Sequence, residues 1–194
     1  MDYSAGLKLQ SELLDKVQNS SVSYFIGLEH PAVITLGYRA TLHNDIQPQN
    51  VIAVEKISRG GFATLHSEGQ LVIYPVLSLR NLQIGVREYI YLLLESTQNL
   101  LQLYGVSSFI NPEALGLYTS SGKIAFCGIQ VSRGITQHGI SINVANDLSL
   151  FQNIRSCGCE AARFDRLADH AEVPELALLY SQWMDEFKKL FAVR

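Results

Sequence analysis

The sequence predicts a single α/β domain, a sheet with helices packed on it, and three observations carry that prediction. Gln70 to Leu79 is nearly continuous apolar sequence, as expected of a strand buried on both faces in the middle of a sheet. Val86 to Tyr104 spreads Ile90, Leu93, Leu94, Leu100, Leu101 and Leu103 over a length too great for a strand and stops at Gly105, which makes it a helix. Ile129 to Ser132, a turn near Arg133-Gly134 and Ile135 to Val144 form an antiparallel hairpin. At 194 residues and 47% hydrophobic, the chain can bury a substantial core, and with no internal repeat or linker residues 1–194 read as one domain.

The remaining elements follow in order. Residues 5 to 18 place Leu7, Leu9, Leu13, Leu14 and Val17 at mostly helical spacing, an amphipathic helix that packs on the sheet. Val22 to Leu28 and Val33 to Leu36 are rich in β-formers and read as two strands with a kink at Pro31. His30 sits at that kink, either aimed into a pocket or bonded to local backbone. Residues 38 to 50 are polar and read as a surface connection, after which Val51 to Ile57 resumes as a strand. Leu115 to Thr119 is a short strand, and Ser120-Ser121-Gly122 turns into another that starts at Lys123. Toward the end, Pro174 suits a first helical turn, and Leu176, Leu179, Trp183, Phe187 and Leu190 make a helical core stripe.

Composition narrows the function. A net charge of -3 disfavours a general nucleic-acid binder. The first twenty residues lack the apolar core of a signal peptide, and no apolar run of about 18 residues suggests a membrane span. The cysteines, 127, 157 and 159, are odd in number and two are nearly adjacent, which argues against a disulfide framework and for a reducing, cytoplasmic setting.

Two stretches carry chemistry. Arg59-Gly60-Gly61-Phe62-Ala63-Thr64-Leu65-His66 puts paired glycines beside an arginine, either a loop whose backbone N–H groups approach a ligand or a hairpin with a glycine turn. It is not a nucleotide loop of a recognised kind. The second stretch opens with Lys123-Ile124-Ala125-Phe126-Cys127-Gly128 and closes with Ser156-Cys157-Gly158, with His138-Gly139-Ile140-Ser141-Ile142-Asn143 between. A thiol attacks as thiolate, and a nearby ammonium favours that anion, so Lys123 and Cys157 are a plausible acyl-transfer pair. Taken alone, His138 also reads as a solvent-facing strand residue, and a lone Cys-Gly as a small buried hydrophobe.

Together these motifs make the chain resemble the octanoyltransferases of lipoate synthesis, within the wider biotin and lipoate protein ligase group. That family carries Arg-Gly-Gly-x-x-Thr-x-His-Gly-Pro-Gly-Gln, Lys-Ile-x-x-x-Gly, His-Gly-x-x-x-Asn and Pro-Cys-Gly segments in this order; here they stand at Arg59 to Gln70, Lys123 to Gly128, His138 to Asn143 and Ser156 to Gly158. The chain departs from the pattern at Ser67-Glu68, where Gly-Pro is usual, and at Ser156, where proline is usual.

The resemblance implies a biotin/lipoate protein ligase-like α/β (α+β) fold with a mixed, mostly antiparallel sheet flanked by helices. It implies an acyltransferase in which Cys157 takes an octanoyl group from acyl carrier protein as a thioester and Lys123 supports its transfer to a lysine of a lipoyl domain. The acceptor would belong to a 2-oxoacid dehydrogenase or to the glycine cleavage system. No cofactor, metal, nucleic acid or membrane is implied. Arg59 to His66, Phe126 to Gly128 and Gly139 to Ser141 match the family's substrate-contacting stretches, with His138 and His30 as further candidates. The alternatives are an ATP-dependent lipoate or biotin ligase, an amidotransferase between lipoyl domains, and a non-catalytic homologue that binds the same partners.

Overall fold

A computed structural model describes residues 1–155 and 162–193. The chain runs α1 (Tyr3–Gln18), β1 (Tyr24–Leu28), β2 (Val33–Leu36), α2 (Leu42–Asp45), β3 (Val54–Lys56), β4 (Ala63–His66), β5 (Gln70–Val76), α3 (Leu79–Leu82), α4 (Val86–Leu103), β6 (Phe109–Ile110), β7 (Gly116–Tyr118), β8 (Lys123–Ser132), β9 (Ile135–Asn143) and α5 (Leu176–Ala192). Short 3-10 turns cover Leu148–Asn153 and Leu167–Asp169.

Six strands form one antiparallel sheet in the order β1-β5-β9-β8-β7-β6, and a second sheet of three takes the order β3-β2-β4. The parallel β2–β3 pair makes the strand arrangement mixed, mostly antiparallel, with helices against it, as the sequence reading holds. β5 lies inside the large sheet with every residue buried, which accounts for its apolar run. On one face, α4 and α5 bury Tyr89, Leu93, Leu100, Trp183 and Phe187 against Leu71, Ile73, Ile124 and Ile140. Trp183 Nε1–H donates to Thr97 Oγ1 at 2.8 Å, so the largest buried side chain is also polar-satisfied. On the other face, Leu13, Leu14 and Val17 of α1 cover Val76 and Ile135. The small sheet packs Ile34, Leu36 and Leu65 onto Phe126, Phe151 and Ile154.

Three expectations change. β3 and β4 flank β2 rather than each other, so residues 57–62 are a crossing loop and not a hairpin turn. The strand expected over Val51 to Ile57 shrinks to Val54–Lys56, largely exposed at a sheet edge. The surface connection over residues 38–50 contains α2, whose Asp45 turns inward and accepts from the Thr41 N–H.

Candidate active site

A cavity of about 510 Å³ opens between the crossing loop and the β8–β9 strands. Arg59, Gly60, Gly61, Phe62, Ala63, Thr64 and His66 line it from the loop and β4; Lys123, Phe126, Cys127 and Gly128 line it from β8, and His138, Gly139, Ile140 and Ser141 from β9. The loop is seated directly on the hairpin, because the Gly60 N–H donates to the Ile129 carbonyl at 2.9 Å. Two candidates lie elsewhere. Leu65 faces the small-sheet core with no exposure, and His30 sits behind the lining, also fully buried. Cys157, with Cys159, falls outside the described residues.

Lys123 is one of the charged residues of the wall, with Arg39, Arg59 and Glu113. It is 4% exposed, and its ammonium donates to the carbonyls of Ala114 and Leu115 at 3.1 and 3.0 Å. The Nζ also lies 5.2 and 5.0 Å from the ring centroids of Tyr118 and Phe126. Carbonyl dipoles and ring faces together offset the desolvation of the cation. Gly116 makes room for the lysine stem: at φ +155 it sits where a Cβ would come within 2.5 Å of Lys123 Cε and of the Ala125 carbonyl. Cys127 shows what burial does to a thiol here. Desolvation pushes it up to about 12, against the opposing field of Lys123, so it stays protonated at neutral pH.

A buried hydrogen-bond chain joins three of the motifs. His66 Nδ1–H donates to Gln70 Oε1 at 2.7 Å, and Gln70 Nε2 donates to Asn143 Oδ1 at 2.9 Å. Asn143 Nδ2 then reaches the carbonyls of Asp165 and Lys123, at 2.9 and 3.5 Å. The motif glutamine and asparagine therefore fix the tautomer of His66 and the main chain beside Lys123 rather than facing the cavity themselves.

A family model described as the lipoyl protein ligase A/B catalytic domain matches residues 2–188. The chain belongs to this family. Among its curated relatives, an octanoyltransferase of Pelobacter propionicus is 39% identical over 86% of this chain and 81% of its own length. One of Desulfovibrio desulfuricans is 34% identical over 97% and 83%. The fold matches that of an archaeal bipartite lipoate protein ligase from Thermoplasma acidophilum, with a TM-score of 0.73 at 14% identity, over 95% of this chain and 79% of that one. It also matches P. falciparum LipL1 in complex with lipoate, with a TM-score of 0.76 at 13% identity, over 99% and 60%.

In this lipoyl protein ligase A/B domain, the departures at Ser67 and Glu68 stay off the cavity wall: Ser67 is buried, Glu68 is exposed, and neither lines the cavity. The sequence reading passed over Tyr3, Tyr74 and Arg39, which also line the cavity. Tyr74 carries a signal, since it alternates with Val72 on one face of β5 and both line the cavity. Tyr3 carries none, because its place depends on how α1 docks.

His138 is 5% exposed rather than solvent-facing. Its backbone stands at φ +56, and its N–H donates to the buried Gln10 Oε1 of α1 at 2.6 Å. A non-glycine residue there costs about 1–3 kcal/mol, and the bond to α1 helps hold it in place. His30 accepts from the Tyr74 hydroxyl at 2.9 Å and donates to the Met1 carbonyl at 2.7 Å, a long-range tie rather than a local one.

Burial holds all three imidazoles neutral, with His66 lowered to about 3, His138 to about 4 and His30 also lowered. The unfolded chain protonates these rings below about pH 6.5 while the folded protein does not. Stability is therefore expected to fall as pH drops below about 6.5, by up to about 1.4 kcal/mol per pH unit for each ring, until the folded values are approached. Urea unfolding at pH about 7 and about 5 measures this. His138→Asn removes one ring while tolerating the left-handed backbone, so the loss should shrink; an equal loss in that variant would refute the assignment.

Proposed function

We infer that this chain transfers an octanoyl group from acyl carrier protein to a lysine of a lipoyl domain, through a thioester on Cys157, in the cytoplasm. The observation that carries the inference is Lys123: a buried, fixed ammonium on the wall of the cavity, in a chain whose curated relatives are octanoyltransferases. The Cys157 thiolate attacks the thioester carbonyl, and the donor sulfur leaves as a thiol with the proton that Lys123 gives up. The acceptor lysine amine then attacks the acyl-enzyme, an amide forms, and Cys157 returns as thiolate. The Lys123 ammonium favours the thiolate before acylation; the neutral amine left by the first step takes the acceptor amine's proton in the second, which restores the ammonium beside the returning thiolate. The first step exchanges one thioester for another and the second runs downhill, so the reaction takes no nucleotide and no cofactor. Arg59 to His66, Phe126 to Gly128 and His138 to Ser141 shape the acyl pocket, and backbone N–H groups beside Gly128 and Gly139 are the candidate oxyanion donors. The acceptor is a lipoyl domain of a 2-oxoacid dehydrogenase or the glycine cleavage system.

Octanoyl-acyl carrier protein and a lipoyl domain, mixed with the protein in EDTA without nucleotide, should yield octanoylated domain by intact mass. Transfer only from free octanoate plus ATP would assign the chain to the ligases. Transfer only between lipoyl domains would make it an amidotransferase, and tight binding without turnover a non-catalytic homologue.

A further inference from the structure

Lys123 is held by its main chain as firmly as by its side chain, and the grip comes from a segment forty residues downstream. The Lys123 N–H donates to the Arg163 carbonyl at 2.8 Å, and the Asp165 N–H returns to the Lys123 carbonyl at 3.0 Å, closing a parallel bridge around Phe164. A Cβ on Gly122 would come within 2.5 Å of Arg163 backbone, so the preceding turn lies flat against the same segment.

The carboxylate of Asp165 locks the two together. Asp165 is 3% exposed. Its Oδ2 accepts from the Thr119 hydroxyl and meets His170 Nε2 at 2.7 Å, while Oδ1 accepts from the Arg166 N–H at 2.9 Å. Thr119 Oγ1 in turn accepts from the N–H groups of Ser121 and Gly122, at 3.1 and 3.3 Å, the residues that lead into Lys123. The Asp165 carbonyl takes Asn143 Nδ2 at 2.9 Å. A buried carboxylate is retained only where it is this fully bonded, and losing one partner leaves the charge uncompensated.

We propose that Asp165, locked by Thr119 and His170, is a positioning residue that sets the backbone register of Lys123 and so aims its ammonium at the cavity. The proposal rests on the acyl-transfer role inferred for Lys123. It assigns no contact between Asp165 and substrate: the carboxylate acts through the turn and the bridge.

Two measurements on the full chain test it. Asp165→Asn keeps the shape but replaces one acceptor oxygen by a donor, and Thr119→Val removes the hydroxyl that joins carboxylate to turn. In either variant, exchange protection of the Lys123 amide should fall by about tenfold or more while the β8–β9 hairpin keeps its own. Single-turnover acylation from octanoyl-acyl carrier protein should drop by roughly 10–100-fold, since a small misplacement of a reacting group costs that much. In a Lys123→Met background the same substitutions should add less than about twofold, because the residue they position is gone. Thr119→Ser keeps the hydroxyl and should restore both readouts. Unchanged protection at Lys123, or an equal fold-loss in both backgrounds, would overturn the proposal. Full transfer by Lys123→Met would instead overturn the reading beneath it, and the proposal with it.

Discussion

Cys157→Ser is expected to abolish the acyl-enzyme, whereas Cys127→Ser and Cys159→Ser keep it. Incubation with octanoyl-acyl carrier protein should add one octanoyl mass to the parent protein and to the latter two variants, and nothing to the first. Overall transfer in Cys157→Ser should fall by roughly 10³–10⁶-fold, the scale on which removing a nucleophile acts. The contrast with Cys127 has a physical basis on the cavity wall. Cys127 lines the cavity and feels Lys123, yet desolvation dominates and keeps it a thiol, pushed up to about 12. Being near the lysine is therefore insufficient; a nucleophile must also keep enough polar surroundings to ionise. A persistent octanoyl thioester in Cys157→Ser, cleaved by neutral hydroxylamine and so not an ester on the introduced serine, would move the nucleophile to another cysteine and remove Cys157 from the mechanism.

Most of the large sheet was legible because its strands and helices announce themselves by period. The apolar run of β5, the hairpin of β8 and β9 and the stripes of α4 and α5 each show a pattern set by local geometry. In the small sheet the strand at Val33 to Leu36 was legible but the pairing was not, because β2, β3 and β4 are three or four residues long and their order depends on which edges meet in space. The cavity-lining motifs were found as residue types in order, but their roles in holding one another were not. Gln70 and Asn143 carry no mark in the sequence that tells a buried connector from a ligand contact. His138 misleads for a further reason: its positive φ breaks the alternation that would have placed it. The carbonyls of Ala114 and Leu115, which fix the lysine ammonium, have no side-chain signature at all.

Lys123→Met should collapse octanoyl transfer by about 10²–10⁴-fold while leaving the protein folded, since methionine keeps much of the stem length and removes only the charge and its proton. If the ammonium favours the Cys157 thiolate, alkylation of that thiol by iodoacetamide should have its midpoint below the ~8.5 of a free cysteine. In Lys123→Met the midpoint should climb by about one pH unit or more, because an opposite charge within a few ångströms lowers a thiol's pKa by that order. The two groups titrate as a coupled pair, so the midpoint belongs to the pair. Lys123→Arg separates field from proton transfer: guanidinium retains charge, so the midpoint should stay low, but it does not readily release a proton, and transfer should remain poor. Gly116→Ala offers a third arm without touching the lysine's chemistry. Its Cβ would fall within 2.5 Å of Lys123 Cε and of the Ala125 carbonyl at a backbone angle that disfavours side chains, so the stem and the strand beside it must shift while the charge remains. Transfer should drop with the alkylation midpoint moving up by less than in Lys123→Met. An unchanged midpoint in folded Lys123→Met would show that the ammonium is not near the thiol, and Lys123 would then be a buried cation serving only the connection from β6 to β7.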